Sequence, residues 1–318
     1  MSIKAAASAP GKVILFGEHA VVFQKPALAM AVDRRARVKV TKTQKEDIKV
    51  HIPDLDVEGT IKADGELEFS GNGEVGILQF IKEALNLLDI KNQIDITVQL
   101  DIPIGAGLGS SAAITVATLA AAAKLTGRKL KLEELAQKAH QVELTVQGAA
   151  SPMDTAVSTY GGLIYLNNGE VLPLNYSKEL PLVVAYTSYR GNTGELVTGV
   201  RKRRDKYPLV VDPILDSIET VAQLAKAALL EGDEESLGIL MNINHGLLDA
   251  LGVNTPELSW MVYQARKSGA LGSKITGAGG GGSIIVYAPG KVKEVLGELK
   301  NRENAFTVGI SKEGVLLE

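Results

Sequence analysis

Lys12, Glu18, His19, Glu143 and Asp154, with the loop at residues 103–113, have the types and placing to do chemistry. The loop reads Pro103, Ile104, Gly105, Ala106, Gly107, Leu108, Gly109, Ser110, Ser111, and then alanines. Alternating glycines let a backbone turn sharply and approach a ligand closely, because no Cβ stands in the way. A helix opening just after them points free N–H groups and its positive dipole end at whatever sits there. That is the outline of a phosphate cradle, and the same composition also makes an ordinary strand-to-helix turn. No Gly-Lys-Ser/Thr follows, so this is not a Walker A loop, and Ser110 breaks a Gly-x-Gly-x-x-Gly pattern. Ser110 and Ser111 fall where N-cap residues are favoured. A hydroxyl at that place can also ligate the magnesium that accompanies a nucleotide.

The carboxylates divide by surroundings. At about 100° per residue, Leu132, Leu135, Ala136, Ala139, Val142 and Val146 share one face of a helix over 132–147, and Glu143 projects into the middle of it. Glu133, Glu134, Gln137, Lys138 and Gln141 lie on the polar side. A carboxylate on the apolar face costs several kcal/mol, on the order of a desolvated charge, unless it is paired or bound to a metal. A structural salt bridge and a cation site both answer that demand. Asp154 sits among small residues between Ser151-Pro152 and Gly161-Gly162, which reads as a loop, and loop aspartates are also common caps. Lys12 precedes and Gly17-Glu18-His19 follow a short apolar strand at 13–16. A strand can aim such groups into a cleft, and solvated strand ends carry the same residue types.

The elements that must position these groups are legible in outline. Strands are expected at 37–42, 48–52, 94–102, 163–166, 171–174, 180–186 and 305–310, and helices at 76–88, 110–125, 132–147, 195–206, 213–231, 234–251, 256–268 and 292–300. A second glycine-rich stretch, 273–286, holds four consecutive glycines entering a strand; close approach of a backbone or a ligand explains them better than packing. A chain of 318 residues suggests two domains, divided as 1–174 and 175–318. A net charge of −3 gives no nucleic-acid surface. The basic run 201–204 reads as a solvated helix face that could also help hold an anionic substrate. With no cysteine, disulfides, thiol catalysis and Cys-ligated zinc are excluded. The start, Met1-Ser-Ile-Lys, lacks an apolar segment with a cleavage site, and no run is long enough for a bilayer, so no membrane partner and a cytoplasmic setting are expected.

Three segments together, in this order and spacing, resemble the GHMP kinase superfamily: 9–22 around Lys12 and Gly17-Glu18-His19, the glycine–serine loop, and 274–282. The first motif and the segment 153–162 are similar to the mevalonate kinases within it; the Asp-Tyr pair that usually follows Gly-Glu-His in galactokinases is absent. The resemblance spans nearly the whole chain. It implies an α+β, two-domain GHMP kinase fold, with an N-terminal domain like ribosomal protein S5 domain 2 and a ferredoxin-like C-terminal domain. It implies ATP and Mg²⁺, with residues 103–111 around the phosphates, Ser111 and Glu143 on the metal, Asp154 as catalytic base and Lys12 as catalytic lysine. Glu18, His19, Arg190, Thr193 and Gly279 would lie by the substrate, mevalonate, whose C5 hydroxyl would be phosphorylated. Assembly as a homodimer is compatible with it.

One departure stands out. Better-known eukaryotic members carry an arginine two residues before the threonine that follows the 180–186 strand; here that position is Gly191, with Arg190 one place earlier. The competing readings are a related kinase acting on phosphomevalonate, galactose or homoserine, and a ligand sensor of the same fold without turnover. Retention of Lys12, Ser111, Glu143 and Asp154 together argues against the sensor.

Overall fold

The computed structural model describes residues 3–71, 76–103, 106–148, 150–189 and 191–318. In chain order the first half runs β1 (Lys4–Phe16), β2 (Ala27–Lys42), β3 (Ile48–Ile52), β4 (Val57–Ile61), β5 (Leu67–Gly71), α1 (Gly76–Asn86), β6 (Ile94–Leu100), α2 (Ser110–Leu125), α3 (Leu132–Gln147), α4 (Met153–Tyr160), β7 (Leu163–Asn167) and β8 (Glu170–Leu174). The second half runs β9 (Leu182–Tyr186), α5 (Thr193–Lys206), α6 (Pro208–Glu231), α7 (Glu234–Ala250), α8 (Pro256–Lys267), β10 (Gly272–Thr276), β11 (Ser283–Tyr287), α9 (Val292–Lys300), β12 (Asn304–Val308) and β13 (Leu316–Leu317).

Two sheets organise the chain. The first has the order β13-β1-β2-β6-β3-β4-β5, with β7 and β8 branching from β2. Its apolar face is covered by α1 and α2, with α3 packed on both helices, and α2 is buried along most of its length. That is why alanine dominates the buried stretch of α2: small side chains let it lie against β1, β2 and its neighbouring helices at once. The second sheet has the antiparallel order β10-β11-β9-β12. With helices between its first and second strands and α9 between its third and fourth, this is the ferredoxin-like connectivity. Its core includes Val183, Ala185, Ile275, Ile284 and Val286 beneath Met261, Val262 and Val295.

Several features differ from the sequence expectation. Strands β1 and β2 are far longer than the short runs at 13–16 and 37–42, because small and polar residues such as Ala7, Ser8 and Ala36 are buried within them. Helix α6 begins at Pro208, not Pro213: Pro208 takes the favourable first position, and Pro213 is carried inside the helix. Strand β13 was not expected at all, since two leucines are too short to register as a strand.

That last strand ends a tail that returns from the second sheet to the first. Ser311 N donates to Ala31 O at 2.9 Å and Val315 N to Thr159 O at 3.1 Å. Arg35 spans the tail and β1, with Nη2 donating to Gly314 O at 2.6 Å and Nε to Ser8 Oγ at 3.0 Å. No helix among the described residues is long and apolar enough to cross a membrane.

Candidate active site

Lys12 is placed by two glycines. The pairing of β1 with β2 shifts register between Pro10 and Lys12, a local irregularity that re-aims the strand. There Lys12 N donates to Leu108 O at 2.8 Å. A Cβ on Gly11 would fall 2.7 Å from that carbonyl oxygen, and one on Gly109 would fall 2.9 Å from Lys12 Cγ. The glycine loop can lie flat on the buried lysine stem only because both are glycines. The ammonium then stands 3.0 Å from Asp154 Oδ2.

Asp154 is not in a loop. It lies in the first turn of α4, where its charge complements the helix dipole. One turn later Ser158 Oγ donates to Pro10 O at 2.8 Å. Residues four apart share a helix face, so α4 presents Asp154 to Lys12 and Ser158 to the backbone two residues upstream. The small residues around Asp154, which resemble a loop in sequence, are what lets this short helix pack closely on β1.

Glu143 occupies the apolar face of α3 as its spacing implies, and is 3% exposed. Burial, then the negative charge of Asp154, push its carboxyl up to about 8, against Lys12 and a hydrogen bond from Ser111. Ser111 Oγ is 3.5 Å from Oε1, at the outer limit of such a bond. Neither serine caps α2: Gly109, at φ 69°, is the N-cap, and Ser110 and Ser111 are the first two helical residues. The first N–H groups of the helix therefore have neither an intrahelical partner nor a capping side chain. Lys12, Asp154, Glu143 and Ser111 thus form one cluster beside an open helix N-terminus. Among the described residues no three His, Cys, Asp or Glu side chains gather closely enough to cage a metal.

The second glycine stretch closes another side. Thr276 Oγ1 donates to Ile14 O at 2.9 Å and accepts from Ile14 N at 3.1 Å, and Ser283 Oγ donates to Ala106 O. The run is thereby fixed to both β1 and the loop before α2. Its glycines serve backbone approach: Gly279 and Gly280 have positive φ, Gly280 N donates to Val253 O at 2.8 Å, and any side chain on Gly279 would strike that carbonyl.

His19 and Glu18 lie against the same stretch in different ways. His19 is a non-glycine residue at φ 62°, and its Nε2 is 2.8 Å from Ala278 O. Burial lowers its pKa, the Ala278 carbonyl opposes that, and Arg203 adds to the lowering. Glu18 is almost wholly buried, with one carboxylate oxygen on Lys274 and the other accepting from Asn244 Nδ2 at 3.1 Å. Burial pushes Glu18 up and Lys274 down, and their contact opposes both. Thr193 is the exposed first residue of α5. Pro103, Ala106, Gly107 and Leu108 follow β6 into α2, whereas Ile104, Gly105 and Arg190 lie outside the described residues. Lys274, Asn244 and Ser158 escaped sequence reasoning. A single lysine within the otherwise uncharged strand 272–276 is the one signal that could have pointed to a buried partner.

The chain resembles known proteins over nearly its whole length. The model of the GHMP kinases N terminal domain matches residues 75–162, and that of the GHMP kinases C terminal domain matches 225–305. The chain is 46% identical over 314 residues to the mevalonate kinase of Methanothermobacter thermautotrophicus, covering 99% of this chain and 100% of that one. The crystal structure of the Methanococcus jannaschii mevalonate kinase superposes with a TM-score of 0.79 at 31% identity, covering 96% of this chain and 98% of that one. That of the L. major mevalonate kinase in complex with R-mevalonate gives 0.82 at 25% identity, covering 96% and 95%.

Proposed function

The chain belongs to the GHMP kinase family, and on that premise we propose that it transfers the γ-phosphoryl group of ATP to the C5 hydroxyl of mevalonate. The observation that carries the chemistry is the Lys12–Asp154 contact of 3.0 Å, set beside the open N-terminus of α2. Phosphoryl transfer asks for positioning and charge neutralisation more than for covalent chemistry. Asp154 accepts a hydrogen bond from the C5 hydroxyl and takes its proton as the oxygen attacks the γ-phosphorus. The bond from that phosphorus to the β–γ bridging oxygen breaks, and ADP leaves with the electron pair. Lys12 keeps Asp154 aligned and offsets charge on the transferring group. The first N–H groups of α2 hold phosphate oxygens.

The donors on hand suit Mg²⁺. Glu143 is a buried carboxylate with no cation bonded to it among the described residues, and the Ser111 hydroxyl is its neighbour. Two hard oxygen ligands without a protein cage is what Mg²⁺ takes when phosphates and water complete its shell. Bound there, it would neutralise phosphate charge. His19 and Thr193 serve the mevalonate end.

A substrate panel tests the reading. Purified protein with MgATP is offered mevalonate, phosphomevalonate, galactose and homoserine, and ADP release is followed by a coupled assay. Mevalonate-dependent ADP release with a phosphorylated C5 product is expected. Turnover of another member of the panel and none of mevalonate would refute it.

A further inference from the structure

The four-residue basic run 201–204 is not uniform once folded. Arg204 is committed, with Nε 2.5 Å from Asp212 Oδ1 and its guanidinium 4.8 Å from the Phe23 ring centroid. Arg203 has no anionic partner among the described residues, although two glycines make room for its head. A Cβ on Gly252 would fall 3.1 Å from Arg203 Cζ and Nη2, and one on Gly199 would fall 3.4 Å from Nη1. Gly252 adjoins Val253, whose carbonyl holds Gly280, and Ala278 in the same run holds His19. On α5, Leu196, Gly199 and Arg203 recur at the spacing of one helix face, and Leu196 lies against Gly280. The arginine is therefore carried by the face that packs on the foot of the glycine run.

His19 cannot serve an anion there in its neutral form. Ala278 O only accepts, so Nε2 must carry the proton it donates, which leaves Nδ1 as an acceptor. Burial and the nearby Arg203 charge both favour that neutral ring. A neutral acceptor suits a substrate hydroxyl, and a guanidinium fork suits a carboxylate.

The geometry points to Arg203 as the residue that seats the substrate's carboxylate, with His19 taking a hydroxyl. This rests on the mevalonate reading, and its test separates the two. Steady-state kinetics would compare mevalonate with its neutral primary amide in the wild type, R203Q and R203K. Arg203 is exposed, so its replacement should leave folding intact, checked by the unfolding midpoint. The wild type should prefer the carboxylate. In R203Q the KM for mevalonate should rise on the order of 10–100-fold, the scale of a lost charged hydrogen bond. The KM for ATP and the kcat should stay within a few-fold, and the preference over the amide should collapse toward unity. R203K, which keeps the charge without the fork, should fall between. An unchanged carboxylate-to-amide preference in R203Q overturns the assignment while leaving the kinase reading intact. A wild type that phosphorylates neither compound overturns the kinase reading and this inference with it.

Discussion

Replacing Glu143 by glutamine separates a carboxylate kept for a cation from one kept for the fold. The wild-type side chain is 3% exposed, and burial with the Asp154 charge lifts its pKa from 4.5 to about 8. Between those two values the folded protein holds a proton that the unfolded chain has released. A group whose folded value is raised contributes its full stability below pH 4.5, and that contribution disappears as the pH rises through about 8. At about 1.4 kcal/mol per pH unit, the wild type should lose about 3 kcal/mol between pH 5 and 7.5 relative to the E143Q variant, whose amide does not titrate. Urea unfolding of both metal-free proteins across that range measures the difference directly. In parallel, mevalonate-dependent ADP release should fall on the order of 100-fold or more in E143Q, with a higher Mg²⁺ requirement. Parallel stability curves would refute the burial argument, and an unchanged Mg²⁺ requirement would refute the ligand role.

Asp154→Asn keeps the shape of the side chain and removes the base, so kcat should drop on the order of 10²–10⁴-fold with little change in the KM for ATP; near-normal turnover would remove Asp154 as proton acceptor. Lys274→Met strands a buried Glu18 carboxylate and should destabilise by about 3–5 kcal/mol, whereas the E18L/K274M double variant should recover much of that loss; calorimetry of the three variants decides it. His245 is buried, and burial, then Arg266 and Lys274, lower its pKa from 6.5 to about 4. Its stabilising contribution is present above pH 6.5 and lost as the pH falls through about 4, so the wild type should lose about 2 kcal/mol more than H245N over that interval, as read from urea midpoints at pH 7, 5.5 and 4.5.

Local signals in the sequence reached as far as local physics does. Helices α2 and α3 fall at 110–125 and 132–147 as expected, because alanine-rich composition and a 3.6-residue apolar repeat are properties of a short window. The burial of Glu143 follows from the same repeat. Asp154 escaped as a helical residue because Ser151-Pro152 and small neighbours mimic a turn, and their smallness serves packing on β1 instead. The Glu18–Lys274 pair joins residues 256 positions apart, and no window contains both. The same holds for Thr276 on Ile14 and Ser283 on Ala106: each is a polar residue whose partner is set by the meeting of the two sheets.

The returning tail gives the molecule a mechanical property. The chain passes from the first sheet to the second over residues 175–181 and back over 309–315, so the two bodies are joined by two covalent cables. A body tied at both ends has less freedom to lose than one on a single tether, so docking the two sheets costs less chain entropy. The return cable is also fastened to Thr159 at the end of α4, the helix whose first turn bears Asp154. The second crossing therefore does two jobs with one stretch of chain: it holds the two sheets together from the far side and it pins the end of the helix that bears Asp154.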